Sequence, residues 1–447
     1  MKNFRLLFGL LCLVWLSSAQ AQNNPRSLTL QESVQFAIQN SPRVQTALLE
    51  TKKNDWLVKE LLGSGLPQVN LNGQFVYNYE IPVFLVPGAF AGVPDQEFVG
   101  ARFGTNFSHI ANAEVSQLLF SKTFFIGLDA ARKSRQLYEL QTEQTKDELA
   151  YNIAQLYYST QVAQKQRNIL QANLDQVKSL LALTEKQYAN GFAKKIDVDQ
   201  LQVNRINLEN QLKNLDLQVE VLKQTLKFNM AMPLDEAIAL TDTISESVYN
   251  VPDIQIFTAD FTRKKDLAIL DMQAELNELN VERYRSGYWP SLSAFANLNY
   301  QGAGNQFADL QWFRFGAVGF NLRVPIFDGF QKKAQIQQAR ISQMQLSEMR
   351  RLTTQGLSLA YNQSYQQMQT NLNNLRVLSE NRRVAEDVYR VAQSRFTEGI
   401  APITEVLAAE TAMREAQTNY LSALLQVKLA EIELLNSKGT LLDTILK

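Results

Sequence analysis

Leu66-Pro67-Gln68-Val69-Asn70-Leu71 and Trp289-Pro290-Ser291-Leu292-Ser293-Ala294 read as two versions of one sentence. Each steps through a proline into a stretch of alternating apolar and polar residues. Further echoes follow in the same order. Gln117-Leu118-Leu119-Phe120-Ser121 answers Val324-Pro325-Ile326-Phe327-Asp328, and Tyr188-Ala189-Asn190-Gly191-Phe192-Ala193 answers Phe396-Thr397-Glu398-Gly399-Ile400-Ala401. The offsets are 223, 207 and 208 residues. A duplicated unit of strands and helices is expected, neither copy of which buries its own faces alone.

Four segments alternate at period two. Val69, Leu71, Phe75, Tyr77 and Tyr79 oppose Gln68, Asn70, Asn72, Gln74 and Asn78. Phe107, Ala111, Ala113 and Val115 oppose Asn106, Ser108, Asn112 and Glu114. A third set holds Leu292, Ala294, Ala296, Leu298 and Tyr300; a fourth holds Val318, Phe320, Leu322 and Val324 against Asn321 and Arg323. Segments of about ten residues with aromatics near their ends are the pattern of a membrane barrel. A soluble antiparallel sheet is the competing reading. Four strands cannot close a membrane barrel, which takes about eight or more, so a membrane reading requires several chains.

The rest reads as helix. Lys122 to Tyr188 and Phe330 to Phe396 are each 67 residues without proline. An apolar seam of spacing four and three runs along the first: Leu149, Ile153, Leu156 and on to Leu170, Leu174, Val177 and Leu181. The return segments carry Val198, Leu201, Leu208, Leu215 and Leu226, and Val406, Ala409, Met413, Tyr420, Val427 and Leu434. This is coiled-coil packing. The outer positions are crowded with Gln, Asn, Ser and Thr, which suits a wall wetted on one side; a plain antiparallel coiled coil stays open as the alternative. Shorter helices are expected over Leu28–Asn40, Arg43–Leu62 and Lys264–Tyr288.

Lys2 and Arg5, the eleven-residue apolar run Leu6–Leu16 and Ala19-Gln20-Ala21 form an export signal, too short to span a bilayer. The one cysteine, Cys12, lies inside it, so the exported chain is expected to hold neither disulfide nor thiolate. Basic and acidic residues balance at 44 each, leaving no electrostatic case for nucleic acid. Beyond the signal no segment is long and apolar enough for a transmembrane helix; an exported chain then enters a membrane only as a barrel.

Catalytic chemistry is not in evidence. His109 is the one histidine and falls on the apolar side of a strand; Gly302-Ala303-Gly304 opens no helix. The expectation is a non-enzyme without metal or cofactor. The informative polar residues lie at the two helical turns. Gly191 and Gly399 end the long helices, and Asp197 and Glu405 follow six residues later. These carboxylates either complement the dipole of the return helix or form a cation-favouring ring where several chains converge.

With these residues in view, the chain resembles the TolC family of outer-membrane efflux and secretion channels. The likeness rests on Leu28-Thr29-Leu30-Gln31-Glu32-Ser33, the Leu66-Pro67 and Trp289-Pro290 strand starts, and Val324-Pro325-Ile326-Phe327-Asp328-Gly329. It also rests on the turns Gly191 to Val198 and Phe396 to Leu407, and on Leu435-Asn436. The resemblance implies a mainly α fold with a membrane β-barrel portion. A homotrimer would form a twelve-stranded barrel continuing into a coiled-coil α-helical barrel. It implies a passive conduit docked by a periplasmic adaptor (a membrane fusion protein) and an inner-membrane RND or ABC-type pump, for efflux or type I secretion, in contact with outer-membrane lipid.

On this plan, 1–21 is the signal peptide and 22–230 the first repeat: N-terminal helices, strands 67–80 and 103–120, and a helical hairpin over 122–230. An equatorial connection covers 231–262. The second repeat covers 263–437, with helix 264–288, strands 290–301 and 312–327, and hairpin 330–437; a tail covers 438–447.

The resemblance also proposes a site. Asp197 and Glu405 match acidic tip positions of the family. A further acidic position falls at Ala408, and the aperture tyrosine and arginine of the best-known member fall at Phe396 and Ala401. Tyr188, Lys194, Lys195 and Arg395 are therefore the candidate latch groups, and Gly191, Phe192, Ala193, Gly399, Ile400 and Ala401 the candidate docking tips. A periplasmic structural coiled-coil protein without channel activity is the alternative.

Overall fold

The computed structural model describes residues 25–242, 244 and 260–447; the expected export signal lies outside them. A three-residue strand, β1 (Arg26–Leu28), leads into α1 (Leu30–Asn40) and α2 (Pro42–Ser64). Four strands follow: β2 (Gln68–Tyr77), β3 (Val83–Pro87), β4 (Phe98–Arg102) and β5 (Phe107–Ser121). The first helical hairpin is α3 (Lys122–Ala189) with α4 (Lys195–Asn229). After β6 (Ile238–Leu240) come α5 (Lys265–Ser286), β7 (Ser291–Gly304) and β8 (Gln311–Arg323). The second hairpin is α6 (Gln331–Thr397) with α7 (Ile403–Ser437), and α8 (Leu441–Ile445) closes the chain. Among the described residues no helix is long and apolar enough to cross a membrane.

Two compact units emerge, and they cut across the repeats. One comprises the described residues of Met1–Leu49, Glu139–Ile269 and Arg350–Lys447; the other comprises Glu50–Tyr138 and Leu270–Met349. Each unit thus takes corresponding parts of both copies, and α3 and α6 contribute residues to both.

In the second unit β2, β5, β7 and β8 form an antiparallel sheet in that order. Residues opposite one another share a face. The pairs Leu71↔Ala113, Ala113↔Leu298, Ala296↔Val318 and Ala294↔Phe320 put the apolar alternation of all four strands on one side. The pairs Asn72↔Asn112, Asn112↔Asn299 and Ser293↔Asn321 put the polar set on the other. Among the described residues neither β2 nor β8 pairs on its outer edge. The apolar side is bare: Leu71 is 78% and Val318 84% exposed.

Leaving a face of this kind in water forgoes roughly 1.5–3 kcal/mol for each large side chain. A soluble sheet would not leave it uncovered. Aromatics gather at one end of the same face, where Phe75, Phe307 and Trp312 surround His109, Phe107 packs on Phe75 and Phe307, and Tyr300 stacks on Trp312. His109 is thus held among rings. Gly302 permits this, since a Cβ there would meet the Trp312 indole at 3.0 Å.

The first unit is helical and its core follows the expected seams. Leu149, Ile153, Leu170, Leu174, Val177 and Leu181 are buried, as are Leu201, Leu208, Val406, Ala409, Met413 and Val427. Leu174, Leu201, Phe396 and Val406 belong to one cluster, so the two hairpins share a core in the stretch below their turns. A second core joins α1 to α3 around Val34, Ala37, Ile153 and Tyr157. There the Tyr157 hydroxyl donates to the Leu28 carbonyl at 2.9 Å. The capping box at Thr29, with Glu32 accepting from the Thr29 N–H at 2.8 Å, starts α1 where the resemblance motif lies.

Candidate functional site at the hairpin turns

The two turns share a backbone. At the end of α3 the Gly191 N–H reaches the Tyr188 carbonyl at 2.9 Å and the Phe192 N–H reaches Gln187 at 2.8 Å. At the end of α6 the Gly399 N–H reaches Phe396 at 2.9 Å and the Ile400 N–H reaches Arg395 at 2.8 Å. Both glycines are left-handed, with φ of +79° and +76°. This is the Schellman termination, in which the left-handed residue frees two amides to satisfy carbonyls of the last turn.

The return helices start differently. The Lys194 N–H donates to Asp197 Oδ2 at 3.0 Å, so this carboxylate closes the first turn of α4. The residue 208 positions later is Pro402, which precedes α7 and has no N–H to offer. Glu405 turns elsewhere and accepts from Arg395 Nη1 at 2.5 Å, across the turn. In the first repeat the position of Arg395 is held by Gln187. The two carboxylates are therefore equivalent in sequence but not in chemistry: one serves as a backbone cap, the other as half of an ion pair.

The remaining predicted residues divide by exposure. Phe192 and Ile400 protrude at the two apices, 88% and 64% exposed, with the glycines beside them. Tyr188, Lys194 and Lys195 are exposed on the first hairpin, and Ala193 is half-buried. Phe396 and Ala401 are both buried within the chain. Phe396 packs into the shared core with Ile403 and Val406, so its ring belongs to hairpin packing within the chain.

A polar ladder further from the turns escaped the sequence reading. Asn204 Nδ2 lies 3.4 Å from Glu410 Oε2, Arg414 Nη1 donates to Gln211 Oε1 at 3.0 Å, and Asn173 Nδ2 donates to Gln417 Oε1 at 3.0 Å. Each rung joins the first hairpin to the second. Glu410 is 2% exposed, and burial pushes its carboxyl up against the opposing pull of Arg414 and Asn204. The signal was present: Glu410 directly follows the seam residue Ala409.

The outer membrane efflux protein family model matches residues 104–230 and 262–440, more than half of the chain. No curated protein sequence is significantly similar to it. Among solved structures, the outer membrane protein VceC from Vibrio cholerae has 16% identity and a TM-score of 0.68, covering 92% of this chain and 96% of VceC. The Neisseria gonorrhoeae MtrE outer membrane channel, solved in its open state, has 16% identity and a TM-score of 0.70 over 92% of this chain and 89% of its own. The Campylobacter jejuni CmeC outer membrane channel has 14% identity and a TM-score of 0.67 over 92% and 86%. At such identities these likenesses speak for the fold, and the fold is that of the TolC-like channels. The family match extends through β5, β7, β8 and both hairpins, and the chain belongs to the outer membrane efflux protein family.

Proposed function

We propose that three copies of the chain form one passive exit duct of an efflux or type I secretion system. Each copy supplies β2, β5, β7 and β8 to a twelve-stranded barrel in the outer membrane. The helical hairpins of the three copies form an α-helical barrel in the periplasm. The observation that carries this reading is the open sheet: a bare apolar face and two unpaired edges on one chain. Four strands are too few to close, and an unpaired backbone edge is not tolerated in lipid. Three-fold repetition satisfies both demands. The likeness to VceC, MtrE and CmeC supports it.

The hairpin turns are the proposed inner end. Asp197 and the Arg395–Glu405 pair line the aperture, and Phe192 and Ile400, with Gly191, Ala193, Gly399 and Ala401 behind them, form the tips on which a periplasmic adaptor docks. An inner-membrane RND or ABC-type pump supplies the energy. The periplasmic coiled-coil alternative is disfavoured by the same sheet, since such a protein has nothing to cover the apolar face. Extraction decides between them: a duct needs detergent and forms an oligomer that survives SDS without heating, whereas a structural coiled-coil protein is released in buffer as a smaller species.

A further inference from the structure

Glu410 has an environment unlike that of the other acidic residues near the turns. It sits on α7 at the seam between the hairpins, with its carboxylate almost wholly withdrawn from water. Asn204 of α4 approaches one oxygen at 3.4 Å. The other oxygen, Oε1, has no hydrogen-bond partner, although Arg414 Nε lies 3.6 Å from it. Arg414 is in turn committed to Gln211 of the first hairpin. From α6, Tyr389 is buried close enough for the Glu410 charge to add to burial in pushing its hydroxyl up. Other charged groups nearby have partners of their own: Glu386 of α6 accepts from Gln417, and Glu209 of α4 pairs with Arg205 and with Lys178 of α3. A buried carboxylate with one long hydrogen bond and one offset ion pair is poorly compensated.

The duplication supplies a natural comparison. Glu410 stands 208 residues after Gln202, the same offset that relates Glu405 to Asp197. The first repeat therefore places a neutral amide of the same shape where the second places an acid.

We infer that Glu410 is a positioning residue for the gate, a proton-responsive catch that holds the two hairpins together when protonated and loosens their seam when ionised. The inference rests on the duct reading and assigns the control of its inner end. The sign follows from linkage. A carboxyl whose pKa is higher in the packed seam than in water binds its proton preferentially to the packed state. Packing is therefore most favoured below the ordinary glutamate range and loses that advantage as pH rises through and above it. Proton release also restores a charge that gains by reaching water, which requires the hairpins to part.

The test is the conductance of the purified protein in planar bilayers between pH 4.5 and 8, beside amide hydrogen exchange of the α4 and α7 peptides corrected for intrinsic rates. Wild-type conductance is expected to rise at least threefold with pH, with exchange around Leu201–Leu215 rising in step. Glu410→Gln is expected to abolish both trends and hold the acid level throughout. Arg414→Gln, which withdraws the cation favouring ionisation, is expected to move the midpoint to higher pH. A Glu410→Gln protein with the wild-type pH profile overturns the inference, as does an unmoved midpoint in Arg414→Gln. If no variant conducts at any pH, the duct reading fails, and the exchange profiles still decide whether Glu410 governs the seam.

Discussion

Arg395 and Glu405 face each other across the second hairpin turn at 2.5 Å, and they do so because Pro402 denies Glu405 the backbone amide that Lys194 gives Asp197. One imino acid thus separates the roles of two carboxylates that the duplication makes equivalent. Both partners of the pair are partly exposed, 47% and 39% at the side chain, so its contribution to stability is about 0–1 kcal/mol. Its consequence is electrostatic: at the proposed aperture Glu405 is already compensated by a cation, and Asp197 is bonded to a backbone amide instead.

Ion selectivity should reflect that difference. Asp197→Ala together with Glu405→Ala is expected to weaken cation preference in planar-bilayer recordings, with Asp197→Ala alone giving the larger share. Arg395→Gln is expected to strengthen cation preference by unmasking Glu405. Unchanged reversal potentials in all three proteins would count against a carboxylate ring at the turns.

Backbone strain gives a second prediction. Gly191 and Gly399 are left-handed, and a Cβ at either would meet nothing within 4 Å, so substitution carries only the conformational cost. Gly191→Ala and Gly399→Ala should each destabilise by about 1–2 kcal/mol. Ala231 ends α4 in the same motif with φ of +56°, its N–H reaching Phe228 at 3.0 Å and that of Met232 reaching Lys227 at 2.9 Å. Ala231→Gly should therefore stabilise, by about 1 kcal/mol. Thermal unfolding in detergent reads the sign in each case.

The apolar sheet face gives a third. Val318→Arg on that face is expected to impair assembly, at a cost of about 2–4 kcal/mol near mid-bilayer. Asn72→Arg, on the opposite face, should leave assembly intact. Unheated SDS gels read the oligomer for both, and an equal loss in the two proteins would contradict the assignment of faces.

Much of this architecture is legible in the sequence. Leu71 and Leu322 alternate with polar neighbours strictly enough to give both strand and face, and Leu174, Leu201 and Met413 repeat strictly enough to give the seams. Both signals are local and periodic. The β3–β4 hairpin was not foreseen, because Pro82, Pro87 and Pro94 break its segment and Val83–Val86 is an apolar run without alternation. The β1–β6 pair was hidden for another reason: Arg26↔Ile238 joins two three-residue strands far apart in the chain, and nothing local announces it.

At the turns, the type of residue was readable and its partner was not. Asp197 and Glu405 were found as acids at matching positions, yet their separate roles depend on whether residue 194 or 402 carries an N–H. Pro402 was the available clue. Phe396 was placed at the aperture by family position, whereas its burial follows from three-dimensional packing with Ile403 and Val406. Glu410 does not stand out in the sequence, because outer positions of a coiled coil ordinarily carry acids. Only the meeting of two hairpins turns this one inward.

The claim beneath all of these is that three open sheets close one barrel. Native mass spectrometry of the detergent-extracted protein tests it most directly. The account predicts a single dominant species of three times the mass of the exported chain, persisting through mild activation. A monomer of that chain, released from membranes without detergent, would contradict it.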